Sequence, residues 1–163
     1  MITVREARET EWDEVMILAW ITFRKCNSPE YGKEGEASFL SFITDNRLKE
    51  AFLKGQYKLF VAVLNGETVG MVSLRPDRRI SLLFVSQKYQ RMGIGTRLIG
   101  RAQEYIREAS GDAKHPLRVY AAPCAIGFYR KQGFYTVGDP FESEGMVMVP
   151  MERGKNCRPD EKR

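Results

Sequence analysis

Gln90-Arg91-Met92-Gly93-Ile94-Gly95 is the stretch that decides how this chain folds. It follows the apolar run Ile80-Ser81-Leu82-Leu83-Phe84-Val85 and opens the segment Thr96 to Ser110, whose apolar residues recur at helical spacing. A strand, a glycine-rich turn and a helix start together make a cradle for pyrophosphate. The first N–H groups of a helix lack intrahelical partners and carry the positive end of its dipole, which suits phosphate oxygens. Glycines at 93 and 95 permit positive φ and let a ligand come close to the backbone. Lys88, Arg91, Arg97 and Arg101 add positive charge around the loop.

Two familiar forms of this loop do not fit. A Walker loop needs a lysine after its last glycine, and here Thr96 and Arg97 follow Gly95. The dinucleotide fingerprint needs a third glycine, and Leu98 stands there. The elements around the loop argue against a Rossmann winding as well. Tyr57 to Leu64 and Thr68 to Leu74 are strand-like runs joined by Asn65-Gly66, a strong hairpin signal. Arg75-Pro76-Asp77-Arg78 reads as a second turn, leading to a strand over Ile80 to Val85.

Upstream, Ile2 to Arg5 reads as a first strand. Thr10-Glu11-Trp12-Asp13 reads as a capping box for a helix with Trp12, Val15, Met16, Ala19 and Phe23 on one face. Arg24 to Glu36, with Pro29, Gly32 and Gly35, reads as a polar connector before a helix carrying Phe39, Phe42 and Ile43. Downstream, the Thr96–Ser110 helix is expected to bury Leu98, Ala102, Tyr105, Ile106 and Ala109 and to end at Gly111. A strand over Leu117 to Ala121, a short helix over Ala125 to Gln132 stopped by Gly133, and strands over Phe134 to Val137 and Met146 to Pro150 complete the order. Residues 1–151 are read as one α/β domain with a mixed, mostly antiparallel sheet flanked by helices, and 152–163 as a charged tail.

At 163 residues, 43% hydrophobic and 29% charged, the chain is expected to be a soluble globular protein. Its N-terminus is charged within five residues and carries no secretory apolar region, so a cytoplasmic location is expected. The odd set Cys26, Cys124 and Cys157 and the single histidine, His115, offer no metal or disulfide framework, and no metal is expected. The net charge of +5 fits an anionic ligand, but no long basic stripe with exposed aromatics points to nucleic acid, and no run is long enough for a membrane. Met146-Val147-Met148-Val149 is apolar on both faces, as a homodimer contact would be.

Gln90, Gly93 and Gly95 match the Q/R-x-x-G-x-G/A motif of the GNAT N-acetyltransferases. A second block, Ala125-Ile126-Gly127-Phe128-Tyr129-Arg130-Lys131-Gln132-Gly133-Phe134, is similar to that family's A-x-x-F-Y-x-x-x-G-F block. The chain therefore resembles this family, in its small bacterial stand-alone form, over residues 1–151. The resemblance implies a sheet splayed between the fourth and fifth strands and acetyl-CoA as co-substrate. It implies that Leu83, Phe84 and Val85 bind the pantetheine arm through the backbone. The N–H groups of Arg91, Met92, Gly93, Ile94, Gly95 and Thr96 would hold the pyrophosphate, with Gln90 shaping the loop. Tyr129 would stand beside the thioester sulfur and donate a proton to departing CoA, with Phe128 in the core. A main-chain N–H on the Leu83–Val85 strand would face the oxyanion.

The acceptor half has no such signature. The strands that carry a base in some relatives offer only Ser81 and Leu117 here. Glu30, Glu34, Glu36, Glu142 and Glu144 are the carboxylates left as candidates to face the wedge, and the first three, with Tyr31, point to a cationic amine. The acceptor, by this resemblance, is a small-molecule or peptide amine. Ala122 stands where many relatives have asparagine, and Cys124 sits at a helix start that would favour a thiolate. The resemblance implies direct acetyl transfer to a primary amine in a ternary complex; the alternative is a CoA-binding regulatory module without turnover.

Overall fold

β2 (Lys58–Leu64) and β3 (Glu67–Leu74) form the hairpin that Asn65-Gly66 predicts. Asn65 (φ 51°) and Gly66 (φ 81°) both take the left-handed conformation of a type I′ turn, whose twist matches that of the strands. The structure, a computed structural model, describes residues 1–154. Around the hairpin are β1 (Ile2–Glu6), β4 (Arg79–Val85), β5 (Leu117–Ala121), β6 (Tyr135–Thr136), β7 (Phe141–Ser143) and β8 (Met146–Arg153). The helices are α1 (Trp12–Cys26), α2 (Ser28–Ile43), α3 (Asn46–Leu53), α4 (Ile94–Ser110) and α5 (Ile126–Lys131).

The strands make one sheet in the order β1-β2-β3-β4-β5-β8-β6, with β7 attached to β8. Every pairing is antiparallel except that of β4 with β5. The central strands are covered on both sides, so their apolar runs are continuous rather than alternating. Leu59 and Val61 face one layer with Met71 and Leu82, under Trp12, Val15, Ala19 and Phe23 of α1 and Phe39 and Ile43 of α2. Phe60 and Ala62 face the other, under Leu98, Ala102 and Ile106 of α4. The apolar stripe of α1 is buried as its spacing predicts, whereas Ala109 on α4 is exposed and Tyr105 only half-buried.

Several local expectations need correction. The Arg24–Glu36 connector is helical: α1 runs to Cys26 and α2 starts at Ser28. Pro29 lies in the first turn of α2, where its missing N–H has no helical partner to lose. Gly32 (φ 73°, ψ −166°) is the one true break, a kink inside α2. Thr10 does not cap α1. Residues Glu9–Glu11 form a 3-10 turn whose Glu11 carboxylate accepts the Arg8 N–H at 2.6 Å and a bidentate pair from Arg5 at 2.9 Å. β7 has no alternation to betray it, since Phe141, Glu142 and Ser143 are all exposed; it is set by the Glu144-Gly145 turn, both at positive φ. Glu152 and Arg153 belong to β8, opposite Arg118 and Leu117, rather than to a tail. Residues 155–163 of that tail, Cys157 among them, lie outside the described residues.

The Arg5 guanidinium beside Glu11 holds its carboxyl at about 2, below the ordinary 4.5. A carboxylate lowered by folding stabilises the native state above its unfolded pKa and loses that contribution as pH falls through the folded one. Glu11→Gln should therefore cost about 1–2 kcal/mol at neutral pH, as loss of a charge-assisted cap does. Chemical denaturation at descending pH should show wild type and variant converging between pH 4.5 and about 2.

Candidate active site

β4 and β5 pair in parallel at Arg79–Arg118 and Ile80–Val119, and no further. Beyond Ile80 the strands diverge and the sheet opens into a wedge. The divergence coincides with a bulge: Leu74 pairs with Ile80 and Ser73 with Leu82, so Ser81 has no partner of its own on β3. Buried side chains stabilise the irregularity. The Ser73 hydroxyl accepts the Leu82 N–H at 3.1 Å, and the Tyr57 hydroxyl bonds Ser73 at 2.6 Å and Ser81 at 2.9 Å.

Strand alternation then decides which backbone groups face the wedge. Ser86 N–H donates to Val69 on the β3 side, so the groups of Phe84 and Leu82 also face β3. Those of Leu83 and Val85 face the gap. The Val85 carbonyl confirms this direction, since it accepts the Gln90 side-chain amide at 3.2 Å rather than a β3 N–H. Gln90 thus ties the loop to the end of β4.

The loop itself makes a nest. Arg91 (φ 67°) and Gly93 (φ 76°) are left-handed, and Gly93 is the N-cap of α4. The first regular helical bond runs from Arg97 N–H to Gly93 O at 3.1 Å, so the N–H groups of Ile94, Gly95 and Thr96 have no helical acceptor. The helix begins two residues before the expected Thr96. Gly95 is therefore inside it, with no positive φ to explain it. Its reason is steric: a Cβ there would stand 2.9 Å from Phe128 Cζ. The ring of the second sequence block lies directly on the glycine of the first. Of the basic residues around the loop, only Arg91 lines the cleft. Arg97 donates to the Ile2 carbonyl, Arg101 stacks on Phe60, and Lys88 on Tyr89.

A single cavity of about 860 Å³ runs from this loop through the wedge to the β7–β8 hairpin. Leu83, Phe84, Val85, Gln90, Arg91, Gly93, Ile94, Gly95, Thr96 and Tyr129 all line it; Met92 does not, being half-exposed on the outer side of the loop. Tyr129 is 5% exposed, edge-on to Phe128 and Phe134 at 5.3 and 5.1 Å. Burial alone pushes its phenol well above the ordinary 10, with no hydrogen bond contributing. Cys124 also lines the cavity, but burial, Glu30 and Cys26 raise its thiol, so the thiolate is disfavoured despite the helix start. Ala122 lines the wall without a polar group to offer.

The far half was hidden in the sequence. Tyr31, Phe42, Arg75, Arg79, Tyr120 and Met148 line it, drawn from one helix, one turn and three strands. Of the residues singled out for the acceptor side, Tyr31 and Glu144 do line it; Met146 and Met148, expected as part of a strand apolar on both faces, also lie on the cavity, with Val147 between them more exposed. Glu30, Glu34, Glu36 and Glu142 do not line the cavity. Glu36 pairs with Arg24 at 3.9 Å and Glu34 packs on Gly145. Glu144 is the one carboxylate among the described lining residues. No group of three or more His, Cys, Asp or Glu that could hold a metal ion occurs among the described residues, and none of their helices is long and apolar enough to cross a membrane.

A parallel pair that splays inside an otherwise antiparallel sheet, with a helix N-terminus at the mouth, defines an acyl-CoA-dependent acyltransferase. The family model for the acetyltransferase (GNAT) domain matches residues 27–154, and the chain belongs to that family of enzymes. No curated protein matches the sequence. Among solved structures, it is similar to a GCN5-related N-acetyltransferase from Rhodopseudomonas palustris, with TM-score 0.78 and 23% identity over 93% of this chain and 94% of that one. The PaiA N-acetyltransferase from Thermoplasma acidophilum, in complex with coenzyme A, gives TM-score 0.76 and 18% identity over 94% and 99%. An aminoglycoside 6'-N-acetyltransferase complexed with coenzyme A gives 0.65 and 16% over 97% and 99%.

The Gly95–Phe128 contact yields a test. Gly95→Ala should cost about 1–3 kcal/mol through overpacking and weaken CoA binding. Phe128→Leu in the same chain should recover much of both. Thermal unfolding and CoA titration of the two single variants and the double variant would show non-additivity; strictly additive losses would separate the two blocks.

Proposed function

We propose that the protein transfers the acetyl group of acetyl-CoA to a primary amine by direct attack in a ternary complex. One observation supports this reading: Tyr129 lines the same continuous cavity as the Gln90–Thr96 loop and as Arg75, Arg79 and Glu144, so one space can take both donor and acceptor with a phenol on its wall. The Leu83 and Val85 backbone groups that face the gap hold the pantetheine arm as an added strand would. The nest from Arg91 to Thr96 binds the pyrophosphate. Phe84, whose backbone faces β3, shapes the wall instead, and Met92 contributes only its N–H.

The amine first loses a proton from its ammonium form, with Glu144 accepting it directly or through water. The neutral nitrogen attacks the thioester carbonyl, and a main-chain N–H of β4 receives the developing oxyanion. The intermediate collapses with loss of the second nitrogen proton; the C–S bond breaks and the sulfur leaves with its electron pair. Tyr129 donates its proton to that sulfur and regains one from solvent. Because burial keeps the phenol protonated, Tyr129 is always in the donating form under working conditions.

Tyr129→Phe should lower kcat about 10²-fold while leaving CoA affinity within twofold, measured by thiol release and calorimetry. The alkaline side of the wild-type pH profile should show no fall attributable to Tyr129 below pH 10. Unchanged turnover in the variant would remove Tyr129 from the chemistry. CoA binding with no turnover across an amine panel would favour a regulatory CoA-binding module instead.

A further inference from the structure

The β3–β4 turn brings two arginines together over the far half of the cavity. Arg75 N–H donates to the Arg79 carbonyl at 2.9 Å, and Arg78 closes the turn in left-handed conformation (φ 64°), its N–H on the Arg75 carbonyl at 2.8 Å. Residues directly opposed across an antiparallel pair project to the same face, with Cβ atoms about 5 Å apart. Both side chains line the cavity. Each is held by an aromatic ring, Arg75 over Phe42 at 5.2 Å and Arg79 over Tyr120 at 4.0 Å. Each has a buried Nε without a hydrogen-bond partner.

Opposed like charges oppose folding unless something anionic offsets them. The protein supplies little. Asp77 Oδ2 lies 3.5 Å from Arg79 Nε on a carboxylate that is 54% exposed, and no ion pair reaches Arg75 among the described residues. Arg118 adds a further cation at the turn, donating to the Asp77 carbonyl at 2.9 Å. These arginines are not part of the phosphate cradle. From Arg79 to Val85 the strand rises about 20 Å, and the loop lies beyond Val85. Ser81, on the cavity next to them, offers a hydroxyl already polarised by Tyr57.

We infer that the acceptor is a small amine that also bears a carboxylate, and that Arg75 and Arg79 bind that carboxylate. The inference rests on the transfer reaction proposed above and names the acceptor class for it. Planar guanidinium groups fixed by stacking recognise a carboxylate through paired N–H···O bonds, with little side-chain freedom left to lose. Glu30, Glu34 and Glu36, which would have favoured a cationic acceptor, do not line the cavity, although Tyr31 of the same helix does. A polyamine would meet two cations there.

The test is thiol release from acetyl-CoA with β-alanine, glutamate, O-phosphoethanolamine, ethanolamine and spermidine, paired with calorimetry of each amine on the CoA-loaded protein. β-Alanine or glutamate should exceed ethanolamine and spermidine at least tenfold in kcat/KM. Arg75→Gln and Arg79→Gln should each lose about 10- to 100-fold on the carboxylated amines and little on ethanolamine, with CoA affinity unchanged. Arg79→Lys should recover part of the loss. Equal or better use of spermidine or ethanolamine overturns the inference while leaving acetyl transfer standing. Preference for O-phosphoethanolamine over both carboxylates overturns the carboxylate assignment. Variants that slow every amine alike, in step with a lowered Tm, reduce the arginines to structural staples. With no turnover on any amine the transfer reading fails, and the calorimetric ranking of wild type against the arginine variants still decides whether carboxylate binds here.

Discussion

The loss of pairing between β4 and β5 beyond Ile80 and Val119 is the constraint on which the rest of this molecule depends. A sheet interior ordinarily satisfies every main-chain group, and leaving donors and acceptors open in an apolar cleft is costly. Here the backbone groups of Leu83 and the N–H of Val85 face the gap, while Gln90 takes the Val85 carbonyl: the Ser81 bulge changes the course of β4 where β5 turns away. The Tyr57–Ser73–Ser81 hydroxyl network stabilises that bulge, with Tyr57 and Ser73 buried and Ser81 at the cavity wall. In the proposed reaction an extended chain carrying amides, such as pantetheine, would supply the missing ladder bonds. The cleft would then suit its ligand because the fold withholds from itself the bonds left for that ligand.

The donor half behaves as one packed unit rather than two separate motifs. Phe128 lies on Gly95, Tyr129 packs edge-on against Phe128 and Phe134, and the Gln132 amide donates to the Thr96 hydroxyl at 2.9 Å. The phosphate loop and the tyrosine helix therefore fix each other's position. A long sequence separation between the blocks costs nothing once both dock on the same turn of α4. The same contacts hold Tyr129 in place: its ring is wedged between those of Phe128 and Phe134 at the cavity wall.

How much of this was legible depended on whether the controlling physics was local. The glycines at 66, 93, 111 and 133 announce left-handed positions, and each has one. The α1 stripe and the Gln90 loop are local patterns too. Gly95 was legible as a glycine but not in its reason, which is a ring from more than thirty residues downstream. Pro29, Gly32 and Gly35 look like breakers, yet Pro29 sits at a tolerated position and Gly35 lies against Tyr31, whose atoms leave no room for a Cβ. The sequence marks only a turn at Arg75–Arg78 and singles out neither Arg75 nor Arg79. Their pairing over one cavity comes from the turn's register and from α2 and β5 arriving with Phe42 and Tyr120. No window of sequence contains those three elements together.

Electrostatics adds a direction to the cleft. Arg91 and the α4 N-terminus make one end positive, and Arg75 with Arg79 make the other end positive, with Glu144 the one carboxylate among the described lining residues. Fields in a low-dielectric groove are focused rather than screened. In the proposed reaction CoA phosphates would neutralise the first end, and the second end would be left facing whatever enters from the hairpin side. An acceptor with its own anionic group is held at that end by the group that does not react. Its amine is then the part left nearest the thioester and Tyr129. Anchoring through the unreactive end turns a bimolecular attack into a positioned one. It would also draw the acceptor's own carboxylate away from its nitrogen, so that the proton passes more easily to Glu144.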